Sequence, residues 1–151
     1  MKKTTEYARN CARRQADPSS IYRVMSRVQP FTPEEIARLA IPVRIAYDLM
    51  KSGKGEYEDF TTLAYVANVC IVEGEKISRR CVEAARSCQY ALDRCRDRFD
   101  RTGLWGFDGP AISEVLECID FHEQLLELRS PIQLQNALRE TLKRMDKGIV
   151  L

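Results

Sequence analysis

Residues 81–95 read CVEAARSCQYALDRC, and three cysteines recur in this stretch at intervals of seven: Cys81, Cys88 and Cys95. The apolar positions upstream continue the same alternation of three and four residues. The complete seam consists of Phe60, Leu63, Ala67, Cys70, Gly74, Ile77, Cys81, Ala84, Cys88, Ala91 and Cys95. This heptad pattern predicts one long central helix from about Asp59 to about Arg101, with Gly103 as its stop and Gly74 as a point where it could break.

An earlier helix is predicted by its capping signals. Thr32 and Glu35 match a capping box, and Pro33 suits the first helical position. Apolar residues then recur at helical spacing as far as Met50. This seam keeps its phase across Pro42, so we expect a kink there rather than a break.

Two later helices follow the glycine-rich loop at residues 102–110. Pro110 opens the first of them, which should run to about Arg129, and Ser130-Pro131 opens the second, which should run to about Lys147. No alternating strand pattern of useful length occurs. The sequence therefore predicts an all-α fold, an antiparallel bundle of about four helices with one long central helix.

Charge divides the chain into two parts. Residues 1–30 carry seven basic and two acidic side chains, whereas residues 31–151 carry 17 basic and 20 acidic ones. We interpret residues 1–30 as a basic N-terminal arm, partly helical or flexible, and residues 31–151 as the helical bundle domain. The N-terminus lacks the apolar stretch of a secretory signal, and no apolar run is long enough for a membrane span. These features predict a cytoplasmic protein whose cysteines are reduced thiols.

The cysteine row raises the question of a metal site. Residues seven apart lie about 10.5 Å apart along a helix, so two of these cysteines can share neither a zinc ion nor a disulfide. A metal or thiol-sensing site would need ligands from a neighbouring helix, and Cys118 with His122 one turn later could supply them. The candidate set is Cys81, Cys88, Cys118 and His122. The competing interpretation is packing, because free cysteine behaves as a small buried apolar residue.

The basic arm is a candidate for contact with nucleic acid, because its cations could neutralise phosphates and Tyr7 and Tyr22 could stack on bases. The candidate residues are Lys2, Lys3, Arg9, Arg13, Arg14, Arg23 and Arg27. The competing interpretation is a tail that is basic for solubility. We find no nucleophile with a base and an orienting partner, so neither an enzyme nor a cofactor is predicted.

The segments PVRIAYDLM, TGLWGFDGP, HEQLLELRSP and KGIVL together resemble a group of small all-helical proteins from bacterial phages and other mobile elements. The resemblance covers roughly residues 31–151 and leaves out the basic arm. The group has no known activity, so the resemblance implies no functional residues. It implies a genomic setting in which small helical proteins often regulate, inhibit or adapt host machinery.

Three functions follow from these observations. The first is a non-enzymatic helical interaction protein that binds a protein partner or itself, for example as a regulator or inhibitor from a mobile element. The second is a nucleic-acid-binding regulator that uses the basic arm, and the third is a metal or thiol sensor built on the bundle cysteines. A membrane partner and a small-molecule ligand are not expected.

Overall fold

The computed structural model describes residues 28–148, which form five α-helices and no strand. The helices are α1 (Pro33–Lys51), α2 (Tyr57–Ile77), α3 (Arg79–Thr102), α4 (Gly109–Leu128) and α5 (Pro131–Asp146). The prediction of an all-α fold is confirmed. Nearly all of the basic arm, residues 1–27, lies outside the described residues, as do residues 149–151.

The ends of α1 follow the capping signals. The Thr32 hydroxyl accepts a bond from the backbone N–H of Glu35, and the Glu35 carboxylate accepts one from the backbone N–H of Thr32. Pro42 lies inside the helix without ending it, as the seam predicted. Proline lacks an N–H, so the carbonyl of Arg38, four residues earlier, loses its helical partner. Both residues lie on the exposed side of α1, where water can replace that bond.

The prediction of one long central helix from Asp59 to Arg101 is wrong. The chain reverses at Ser78, whose backbone is extended with φ −162° and ψ 140°, and α2 and α3 are therefore two separate helices. The Ser78 hydroxyl accepts a bond from the backbone N–H of Cys81, which caps the start of α3. The bundle consequently has five helices in its described part, not four.

The short reversal depends on Gly74. A Cβ atom at this position would lie 3.1 Å from the Sγ of Cys81 and 3.1 Å from both the Cγ2 and the backbone nitrogen of Val82. Glycine therefore lets the last turn of α2 approach the first turn of α3 closely enough for a one-residue connection. All predicted seam positions except Ile77 are buried, but the two halves of the seam pack against each other instead of continuing in one direction.

Helix α2 is the centre of the bundle, because each of the other four helices packs against it. Every residue from 66 to 74 is buried, including two polar ones, Asn68 and Glu73. Asn68 accepts a 2.7 Å bond from the Gln89 amide of α3. The buried Glu73 carboxylate pairs with Lys76 at 2.7 Å and with Arg129 at 2.9 Å, which compensates its burial.

The loop between α3 and α4 closes one end of the bundle. Gly103 ends α3 in the left-handed conformation with φ 70°. Trp105 then stacks on Phe99 with ring centroids 4.3 Å apart and on Phe60 at 4.8 Å. Asp108 caps α4 by accepting a hydrogen bond from the backbone N–H of Ala111. In the described part of the chain, no helix has the length and apolar character needed to cross a bilayer.

Candidate functional site

The cysteine row lies in the interior of the bundle. All five cysteines within residues 28–148 are buried and unpaired: Cys70, Cys81, Cys88, Cys95 and Cys118. They come from three helices, with Cys70 on α2, Cys118 on α4 and the other three on α3. The seven-residue spacing turns all three α3 cysteines inward, so each fills a small-residue position of the core.

Four of these thiols form a connected chain. The Cys81 thiol donates to the carbonyl oxygen of Cys70 across 3.6 Å, and the Cys70 thiol lies 3.8 Å from the carbonyl oxygen of Cys118. The side chains of Cys70 and Cys88 also interact electrostatically with that of Cys118. The metal or thiol-sensing role of Cys81, Cys88, Cys118 and His122 stays a prediction. Cys70, which the sequence placed only in the seam, is the member of the chain that the candidate set omitted.

The surroundings of these thiols determine their acidity. Hydrogen bonding to Cys118, together with burial, raises the pKa of Cys70 and Cys88 well above its ordinary value. Burial, and to a smaller extent the charge of Asp108, raises the pKa of Cys95 to about 11. The two thiols that face Cys118 stabilise its thiolate and lower its pKa, so Cys118 is the most acidic member of the chain. Complete burial closes the chemistry of these thiols to solvent in the folded state.

His122 is buried on α4 and contributes no bond to the cysteine chain. Its side chain is 3% exposed, and its Nδ1 atom has no hydrogen-bond partner in the part of the chain that the structure describes. Burial lowers the pKa of His122 to about 4, and the nearby Glu123 opposes this shift only in part. The imidazole is therefore neutral at physiological pH.

The predicted metal ligands are not assembled as a set. Within residues 28–148, no three side chains of the His, Cys, Asp or Glu type are grouped so that they could hold a metal ion. Cys118 lies beside Cys88, but Cys81 is directed at Cys70 and His122 takes no part in these contacts. The geometry of the row is that of packed thiols joined pairwise, not of ligands converging on one point.

The predicted nucleic-acid residues cannot be placed in the same way. Every one of them belongs to residues 1–27, outside the described part of the chain: Lys2, Lys3, Arg9, Arg13, Arg14, Arg23 and Arg27. Their contact with nucleic acid stays a prediction.

The acidic residues of α4 connect it to two neighbouring helices. Arg44 of α1 pairs with Asp120 at 2.9 Å and with Glu123 at 2.7 Å. Arg94 of α3 pairs with Glu114 across the opposite side. These carboxylates are neutralised by arginines and hold α4 between α1 and α3.

The outer face of α1 is a surface that the sequence-based predictions did not single out. Ile41 and Ile45 lie one turn apart on this face and are 56% and 54% exposed. Arg38 and Asp48 flank them, and both are exposed. No ion pair of Arg38 or Asp48 is found among the described residues. We use the term outer face for these four residues together with Ala37 and Pro42, which are also exposed.

A signal for this face was present in the sequence. The buried seam of α1 is already complete with Leu39, Val43, Ala46, Tyr47 and Met50. Ile41 and Ile45 fall outside that seam, so α1 is apolar on two sides. A helix with apolar residues on two sides is expected to be covered on both.

Comparison of the chain with known protein families, with curated proteins and with solved structures gave no match. Functional inference therefore rests on the geometry described above.

Proposed function

We propose that this chain is a non-enzymatic interaction protein that binds another polypeptide through the outer face of α1. The observation that carries this proposal is the pair Ile41 and Ile45, two large apolar side chains more than half exposed and one turn apart on a single helix. Exposed apolar side chains that cluster on one element mark protein contact sites more often than isolated ones do.

The rigidity of α1 supports this role. The helix is capped at its start and is held from behind by the bonds of Arg44 to Asp120 and Glu123. The Tyr47 hydroxyl adds a 3.0 Å bond to the carbonyl oxygen of Ile112 on α4. The outer face is therefore preorganised. Little backbone and side-chain entropy of this chain is lost when a partner docks on it, which favours binding.

Other exposed apolar residues make weaker candidates. Tyr57 stacks against Phe60 and Trp105 of its own chain, so its ring is already partly engaged. Leu128 lies at the last residue of α4, where single exposed side chains are common. Leu142 is the matched control for the outer face, because it is an exposed leucine in the middle of α5.

The test is site-specific photo-crosslinking. A benzophenone amino acid replaces Ile45 in one variant and Leu142 in another, and each is irradiated both as purified protein and in cell extract. We expect discrete adducts from position 45 that disappear when Ile41→Asp is added, and no such adducts from position 142. The proposal is refuted if position 45 yields no adduct, or if its adducts match those of position 142.

A further inference from the structure

The outer face of α1 has an internal symmetry about Val43. Ile41 and Ile45 are each two residues from Val43, and Arg38 and Asp48 are each five residues from it, on opposite sides. At about 100° per residue, the bisector of the Ile41 and Ile45 directions coincides with that of the Arg38 and Asp48 directions. The face therefore carries an apolar centre with one positive and one negative end.

We propose that the partner of the outer face is a second copy of this chain, docked with the two α1 helices antiparallel across a two-fold axis level with Val43. This inference rests on the proposed function and names its partner. The axis places Ile41 beside Ile45 of the second copy and Arg38 level with Asp48 of the second copy. Each of these contacts occurs twice, as a closed two-fold interface requires.

Charge selects this arrangement over the alternatives. Arg38 and Asp48 are exposed and have no ion-pair partner among residues 28–148. A parallel pairing in register would bring Arg38 against Arg38 and Asp48 against Asp48, which costs free energy. The antiparallel arrangement brings opposite charges together at both ends and also sets the helix dipoles antiparallel.

Space at the face is also adequate. Val43 is buried on the inner side of α1, so nothing large stands between the two isoleucines at the level of the axis. Ala37, one residue before Arg38, is small and leaves room for an incoming Asp48 side chain. Packed helices approach to about 8–10 Å between axes, a distance that the arginine side chain spans.

The size of the face sets the strength of the dimer. Helix α1 is 19 residues long, and one side of it buries far less than the roughly 1,600 Å² of a standard interface. We therefore expect a reversible dimer with a dissociation constant on the order of 10–100 µM.

The test is a charge exchange followed by analytical ultracentrifugation from about 1 to about 500 µM, a range that brackets this affinity. Arg38→Asp and Asp48→Arg should each weaken dimerisation at least about 10-fold, because each creates two like-charge contacts. The double variant R38D/D48R should recover to within about 3-fold of the parent chain, because the opposite charges meet again. Arg86→Asp, the same charge change at an exposed position of α3, should leave the dimer unchanged.

The outcomes separate this inference from the proposed function. A parent chain that stays monomeric throughout the range, or a double variant as weak as the single ones, overturns the second copy as partner. If position 45 still crosslinks to a different protein in extract, the proposed function stands while this inference fails. Circular dichroism of each variant confirms that the exposed substitutions leave the helices folded.

Discussion

The guanidinium of Arg44 holds the carboxylate of Glu123 through two parallel hydrogen bonds of 2.7 and 2.8 Å. The two residues are 79 positions apart in the chain, and their pairing fastens α1 to α4. The same guanidinium reaches Asp120 at 2.9 Å. The bidentate ion pair between Arg44 and Glu123 therefore helps to hold α1, the helix that carries the outer face, against α4.

The first prediction concerns this contact. Arg44→Met keeps the aliphatic stem but removes the fork, and we expect the free energy of unfolding to fall by about 1–2 kcal/mol, a value reduced for the partial exposure of the pair. Urea unfolding followed by circular dichroism measures the change. The control is Arg96→Met, because within residues 28–148 Arg96 pairs locally, with Asp93 on its own helix. Its loss should stay below about 0.5 kcal/mol, and equal losses would argue against a special role for Arg44.

The second prediction concerns the reversal between α2 and α3. Gly74→Ala would place a methyl group 3.1 Å from the Sγ of Cys81 and from two atoms of Val82, one of them backbone. We expect the free energy of unfolding to fall by about 1–3 kcal/mol, although alanine has a higher helix propensity than glycine. The one-residue connection at Ser78 keeps the two helices from moving apart to make room for the methyl group. Thermal unfolding measures it. An alanine variant as stable as the parent would show that the two helices can separate at this point without cost.

The reversal also shows how far the sequence could predict the fold. Thr32, Asp108 and Ser130 carry strong local capping signals, and the three helices that follow them begin where predicted. Ser78 was not recognised as a cap because the heptad seam continues in phase across it. A seam of this kind fits equally a straight helix and two helices folded together, and only tertiary packing distinguishes them. The inward direction of the cysteines was predictable from spacing, but the proximity of Cys118 to Cys70 depends on how three helices cross.

The third prediction concerns pH and His122. The pKa of His122 is about 4 in the folded chain and about 6.5 in the unfolded chain, so between these values the unfolded chain binds the extra proton. The contribution of the neutral, buried His122 to stability should therefore be complete above pH 6.5 and be lost as the pH drops towards 4, by on the order of 3 kcal/mol. Chemical unfolding at half-unit pH steps measures this slope.

His122→Leu separates the histidine from the carboxylates. Arg44 and Arg94 lower the pKa of Glu123 and Asp108 respectively, so those groups contribute stability that is lost only below their ordinary values of 4.5 and 3.8. The leucine variant should remove the histidine's share of the slope between pH 6.5 and 4.5 and keep the loss at lower pH. The part of the slope that remains in this range is assigned to Cys118, whose pKa is also lowered in the folded chain. A slope that persists unchanged would mean that another group titrates in that window.

The fourth prediction concerns thiol reactivity. The chain has six cysteines, and the five within residues 28–148 are buried. In a Cys11→Ser variant, we expect no thiol to react rapidly with Ellman's reagent under native conditions, and all five to react at the rate of unfolding. Rapid labelling of any of the five would show that the bundle opens locally. Mass spectrometry of the labelled peptides would identify the helix that moves.

The single-residue link at Ser78 has a consequence for the order in which the chain folds. The connection between α2 and α3 is the shortest between helices in the described part of the chain, so bringing these two helices together costs the least chain entropy. The contacts between α2 and α3 join residues that are closer in the chain than those joining α1 to α4, and contacts at short sequence separation form fastest. We expect this hairpin to be the folding nucleus, against which α1, α4 and α5 condense later. Substitutions at Gly74 and Ser78 should then slow refolding, whereas substitutions on α1 should mainly accelerate unfolding.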